Sequence, residues 1–243
     1  MPCRFCDAPG VTREDGWPKW VKRALPEPAK TAAHIARGET VTPREHLGPS
    51  FKFVVKCACR GCNGGWMARL EEESKPILLP LILGESGAIL DEAEQRILAR
   101  WGLKTAMVLE FSHPRGVATP ASHRHDLRDD DLPDHAQIWI AQYDGRLNTF
   151  YYHDHHRVPH PEKTGETIAY AVTFGIGRVM FHIWVPLRAD RQVEHVGRLS
   201  RVLQQIWPVQ PSVTVSEPSV SDEDLAWIVA SQRTPVDHTG RGA

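Results

Sequence analysis

Phe51 to Leu70 reads FKFVVKCACRGCNGGWMARL, and the way this stretch divides decides the fold. Phe51 to Cys57 is rich in β-branched and aromatic residues, the composition of a strand. Cys59-Arg-Gly-Cys62 follows as a tight turn that carries two thiolates to one side of the chain. After Gly64-Gly65, WMARLEEESK has good helix-forming composition and is expected to stop at Pro76. Strand, cysteine turn and helix in this order call for a second pair of thiolates to complete a tetrahedral cage.

The second pair lies at the amino terminus, in Cys3-Arg-Phe-Cys6, separated from Cys59 by 52 residues. All five cysteines fall at or before position 62, and the 181 residues beyond contain none. A disulfide framework would be spread over the fold and would normally use an even number, so this is metal-site usage. Two Cys-x-x-Cys turns match the four-sulfur cage of structural Zn²⁺, with Cys3, Cys6, Cys59 and Cys62 as ligands. A thioredoxin-like redox pair would need a βαβ context that the flanking sequence lacks. Cys57 could compete for the ion, but the two-residue spacing favours Cys59 with Cys62. Strand alternation would then let Cys57 face inward as a small buried hydrophobe.

The composition of the 243 residues, 41% hydrophobic and 24% charged, is that of a globular chain. MPCRFCDAPG has neither the basic start nor the apolar run of a secretory signal, which makes a cytoplasmic location the expectation. The most apolar segment, Ile77 to Leu83, is far short of the roughly 20 residues that span a bilayer. Residues 1–69 hold 12 Lys and Arg against 6 Asp and Glu, whereas the remainder holds 17 against 24. A positive front section beside a negative body would fit a phosphate-contacting module, although an ordinary solvated surface has the same balance.

Beyond Pro76 the chain reads as a body of residues 77–243, distinct from a front module of residues 1–76. Leu90 to Phe111 is an amphipathic helix, with Asp91 as N-cap and Glu94 three residues on. Ile97, Leu98, Trp101, Val108 and Leu109 share its apolar face. AQIWIAQYDGRLNTFYYH is expected to form two strands around an Asp144-Gly145 hairpin turn. TIAYAVTFGIGRVMFHIWVPL supplies two more, meeting at Gly175-Ile-Gly177. Helical periodicity is read over about 193–206, and Ser221-Asp-Glu-Asp224 starts a last helix over about 222–231. The fold class is therefore α+β: a zinc-clipped module followed by antiparallel strands over about 136–187 with flanking helices. Of Tyr151-Tyr-His-Asp-His-His156, at most His153 and His155 share a strand face, which argues against a second metal site. Trp17, Trp20 and Trp66 are expected to hold the small module together rather than stack on bases.

Val11 to Trp20, VTREDGWPKW, completes the set. CRFC, then T-R-E-D-G-W-P-K-W, then C-R-G-C-N-G-G-W-M resembles the HNH endonuclease family, in particular phage- and actinobacterial-type members with an E-H-x-x-P-K-W-like segment between two Cys-x-x-Cys pairs. WGLKTAMVLE and LQQIWP extend the likeness weakly. The resemblance implies a ββα module holding one divalent cation, Mg²⁺ or Mn²⁺, against a scissile phosphate. It places Glu14 at the acid and Asn63 at the residue opening the helix, both as metal-binding and catalytic candidates. The family's general-base histidine is replaced here by Asp15, whether by nature or by a silencing substitution.

An aspartate is a weaker base than histidine by more than about two pKa units, so three outcomes are open. Asp15 serves as a slow base, Glu14 and Asp15 both ligate the cation, or the fold persists without cutting. Glu14 and Asp15 could also simply cap the helix that starts near Pro18. His34 and His46, in the intervening segment, could lean into the site but are read as surface residues. Lys19, Lys22, Arg23 and Lys56 are the candidates for phosphate contact. The expected function is DNA binding with metal-dependent cleavage by an altered site. The alternative is an inactive scaffold that binds DNA or a protein partner, such as a phage-type inhibitor or host-takeover factor.

Overall fold

The computed structural model describes residues 1–25, 31–35, 44–48, 54–111, 117, 119–160, 163–187 and 191–231. In chain order the front section contains β1 (Glu14–Asp15), α1 (Lys19–Ala24), β2 (Thr31–Ile35), β3 (Arg44–Gly48) and β4 (Val54–Val55). β1 pairs antiparallel with β4, placing Glu14 opposite Val55 and Asp15 opposite Val54. β2 and β3 form a separate antiparallel pair that includes His34 and His46, whose side chains lie outside the described residues. Of the strand expected over 51–57, residues 51–53 also lie outside them.

A nearly continuous helical run follows: α2 (Arg60–Cys62), a wide turn at Asn63–Met67, and α3 (Ala68–Leu83). The wide turn is centred on Gly65, whose φ −100°, ψ −109° is not helical. The helix does not stop at Pro76; it carries both Pro76 and Pro80 and ends only at Gly84, which is left-handed at φ 95°. An interior proline costs about 3 kcal/mol through its missing N–H and ring clash. Here Leu78, Leu81 and Ile82 are buried beyond Pro76, each contributing about 1.5–3 kcal/mol, and their packing offsets the break.

The body begins with β5 (Ala88–Leu90) and α4 (Glu92–Glu110). Asp91 caps α4 as expected: its carboxylate accepts from Glu94 N (2.8 Å) while Asp91 N donates to the Glu94 carboxylate (3.1 Å). From Leu98 onward α4 is buried apart from Arg100, which is half-buried. Gly102 permits this, since a Cβ there would stand 3.0 Å from the Phe181 ring. After α5 (Ala121–Arg128) come β6 (Gln137–Gln142), β7 (Thr149–His160), β8 (Lys163–Ile176) and β9 (Val179–Pro186). Then follow α6 (Leu199–Val202), β10 (Gln204–Trp207), β11 (Val213–Val215) and α7 (Asp222–Ser231).

The main sheet is antiparallel in the order β10-β6-β9-β8-β7. The β8–β9 hairpin turns at Gly177 (φ 56°), where the sequence placed it. The Asp144-Gly145 turn does not join a hairpin, because β6 and β7 are separated by β9 and β8. β9 is buried at every position and β6 likewise, so the most apolar strands take the centre and β7 crosses to an edge. Across that sheet end, Arg178 bonds Asp144 (2.9 Å) and Tyr143 donates to Asp222 (2.5 Å).

The helix expected over about 193–206 is also corrected. Only Leu199–Val202 is helical, and Gln204–Trp207 joins the sheet edge beside β6, where ladder hydrogen bonds and the burial of Ile206 outweigh helical periodicity. α7 starts as read, with Ser221 Oγ accepting from Asp224 N and donating back to its carboxylate. Residues 232–243 lie outside the described part.

Both sheet faces are covered. On one, Phe174, Phe181, Ile183 and Val185 join a cluster containing Trp101 of α4, and continuing through Trp17 and Phe5 to Cys3. Trp17 meets Phe174 at 6.0 Å between ring centroids, and Phe5 meets Trp66 at 5.6 Å. On the other face Trp139, Phe150, Met180 and Trp184 pack with Leu225 and Ile228 of α7. The front section therefore shares its core with the body, and residue 76 falls inside α3. Among the described residues no helix is long and apolar enough to cross a membrane.

Candidate metal centre

The two cysteine turns meet. The sulfur atoms of Cys3, Cys6, Cys59 and Cys62 lie within 4.8 Å of one another. A tetrahedral Zn–S site with bonds of about 2.3 Å has sulfurs about 3.8 Å apart, and Cys6 Sγ stands 3.6 Å from Cys59 Sγ. Each turn aims a backbone N–H at its first sulfur: Phe5 N at Cys3 Sγ and Cys62 N at Cys59 Sγ, both 3.4 Å. Such donors stabilise thiolate charge, and the Cys62 amide is the main reason that the Cys59 thiol is lowered to about 7. Four cysteines so placed could hold a metal ion such as zinc.

Backbone bonds lock the two turns together. Arg4 N donates to Cys57 O (2.7 Å), and Thr12 N and Oγ1 both donate to Ala58 O (2.8 and 3.0 Å). Arg124 of α5 adds a bond from Nε to Arg4 O (2.9 Å), tying the first turn to the body. Cys57 is fully buried and stands apart from the four-sulfur group, and burial pushes its thiol up to about 12.

Beside the cage, Glu14 is 7% exposed. Asn63 stands near enough to favour its charged form, and the Asn63 amide nitrogen donates to Thr12 Oγ1 (3.1 Å). The pairing of β1 with β4 fixes Glu14, and the wide turn opening the long helix fixes Asn63. Burial raises the Glu14 carboxyl to about 7; Lys104 opposes this, while Glu71 and Asp15 add to it. Lys104 is 3% exposed, and its ammonium lies 3.0 Å from Glu71 Oε1.

Sequence reasoning missed this Lys104–Glu71 pair. The signal was there: position 104 is three residues from Trp101 and four from Val108, on the apolar face of α4.

Asp15 faces away from this group to an ion pair with Lys22 at 3.0 Å. Of the other basic candidates, Lys19, Arg23 and Lys56 are exposed. His153 is buried and bonds Tyr151 (3.0 Å), whereas the side chains of His155, His156 and His160 lie outside the described residues. Trp17 and Trp66 are buried and Trp20 packs against the same core. Compared with protein-family profiles, with curated proteins and with solved structures, the chain matches none.

Proposed function

We propose that this chain is an HNH-like, zinc-clipped DNA-binding protein that hydrolyses phosphodiester bonds with a divalent cation at Glu14 and Asn63. The supporting observation is that a buried carboxylate from the first strand and an amide from the start of the helix after the second cysteine turn are both set beside the four-sulfur group, Glu14 at 7% exposure and Asn63 bonded to Thr12. A carboxylate and an amide oxygen suit Mg²⁺ or Mn²⁺. The cation would supply Lewis acidity and an activated water. Glu14 and Asn63 would hold it, Asp15 stands where the family has its base, and Lys19, Arg23 and Lys56 are exposed and would meet phosphates. Zinc in the cage is structural.

One observation favours a second reading, a scaffold that binds DNA or a protein without cutting. The Asp15 carboxylate is held in an ion pair by Lys22 at 3.0 Å, so the residue at the family's base position is already occupied by a neighbouring side chain.

Nicking of supercoiled plasmid by zinc-loaded protein in Mg²⁺ or Mn²⁺ separates the two. Under the hydrolase reading wild type nicks and Glu14→Ala does not. If only Asp15→His nicks, the scaffold reading holds; if neither wild type nor Asp15→His nicks, hydrolysis is rejected.

A further inference from the structure

The four sulfurs are not equally sheltered. Cys3 is 0% and Cys62 5% exposed, both inside the apolar cluster that holds Phe5, Trp17 and Trp66, whereas Cys6 and Cys59 are half-buried and only pack against it. The cage therefore has a dry side and a side turned to solvent, and each cysteine turn contributes one residue to each. Across the solvent side Cys6 Sγ stands 3.6 Å from Cys59 Sγ. The second turn leaves this pair unscreened at position 61, a glycine, where a Cβ would stand 3.8 Å from Cys59 Sγ.

We infer that Cys6 and Cys59 form a redox switch, in which a hydroperoxide joins them as a disulfide and releases zinc from the cage. The inference requires zinc in the four-sulfur group and is independent of Glu14, Asn63 and any hydrolysis. A zinc-bound cysteine is a thiolate, the nucleophilic form of the residue, so access decides which sulfur an oxidant meets. With hydrogen peroxide, the first sulfur attacks one oxygen, the O–O bond breaks, and a sulfenic acid and hydroxide result. The second sulfur displaces hydroxide from the sulfenic acid and the S–S bond forms. Two thiolates have then given up two electrons, and the two hydroxides take protons from solvent to leave as water. Cys3 and Cys62 remain as two buried sulfurs, short of the four ligands that a structural zinc site uses. Loss of the ion acts on the core directly, because these two residues share it with Phe5 and Trp66.

The test is hydrogen peroxide treatment of the full-length, zinc-loaded protein, wild type and Cys57→Ala, with released zinc read by a chromogenic chelator and the cysteines by mass spectrometry. Trypsin cuts after Arg4, Arg13, Lys56 and Arg60, so in Cys57→Ala each remaining cysteine falls in its own peptide. Expected are loss of the bound zinc, a link between peptides 5–13 and 57–60, and recovery of zinc binding on adding dithiothreitol and Zn²⁺. Cys6→His leaves three sulfurs and an imidazole, also a structural zinc donor set, and should hold its zinc through the same treatment. A link that includes Cys3 or Cys62, oxidation of Cys6 and Cys59 without any link, or zinc retained with every thiol intact overturns the inference. Wild type that binds no zinc rejects the cage, and the inference with it.

Discussion

Cys57 and Cys59 stand two residues apart and belong to different parts of the protein: Cys59 is in the four-sulfur group, and Cys57 is fully buried in the core beside it. The chain carries the Cys57 carbonyl to Arg4 N, so the backbone of Cys57 holds the first turn while its sulfur stays outside the cage. Cys57→Ala should therefore retain a full equivalent of zinc and lose about 1 kcal/mol for the vacated volume. Cys59→Ser should lose the metal. Zinc content of the purified variants decides it, and loss of zinc from Cys57→Ala would show that the cage is wrongly assigned.

Removing the metal should reach well beyond the cysteines. Structural zinc sites contribute on the order of 10 kcal/mol to folding, and Cys3 and Cys62 lie in the same apolar cluster as Trp101 and Phe174. Chelation is expected to abolish the near-ultraviolet circular dichroism of the buried tryptophans and to expose apolar surface to dye. A module independent of the body would instead leave the signal of Trp101 and the sheet intact.

The parts of this fold legible in the sequence are those specified locally. The Asp91–Glu94 capping box, the Ser221 start of α7, the β8–β9 turn and the sulfur cage each depend on residues within a few positions or on an unambiguous ligand type. Elements decided by distant partners were misread. Pro76 and Pro80 look like a stop until the burial of Leu81 and Ile82 is known. Gln204–Trp207 has helical periodicity until β6 offers an unpaired edge. The burial of Lys104 was not legible, because nothing local distinguishes a lysine on an apolar face that snorkels to solvent from one held against a half-buried Glu71.

Gly102 marks the closest approach of α4 to the sheet. Alanine is the better helix former by about 1 kcal/mol, but its Cβ would stand 3.0 Å from Cδ1 and 3.2 Å from Cε1 of Phe181. That ring is stacked on Phe174 (5.1 Å, 14° between planes) and packed against Trp101 (5.6 Å), so it has little room to give. Gly102→Ala should lose about 1–2 kcal/mol net, the cost of overpacking minus the gain in propensity. A chemical denaturation midpoint at or above wild type would mean that the sheet can move away.

The pH dependence of stability should carry a signature of His195. Its imidazole packs against Trp139 (4.6 Å) and His182 (5.1 Å), and its Nε2 is buried without a hydrogen-bond partner among the described residues. Burial lowers its pKa from 6.5 to about 4. The folded state needs the neutral ring, whereas the unfolded chain takes a proton below about 6.5. Stability from this group is therefore complete above that pH and is lost as pH falls toward 4. The full shift corresponds to about 3 kcal/mol, of which about 2 kcal/mol is lost by pH 5. His195→Phe removes the titration and keeps an aromatic ring against Trp139. Denaturation at pH 7.5 and pH 5 should then show wild type losing about 2 kcal/mol more than the variant. Using the difference between the two proteins cancels acid release of zinc, which affects both alike. Equal losses would show that His195 becomes protonated without unfolding the protein, and that its contact with Trp139 opens to water.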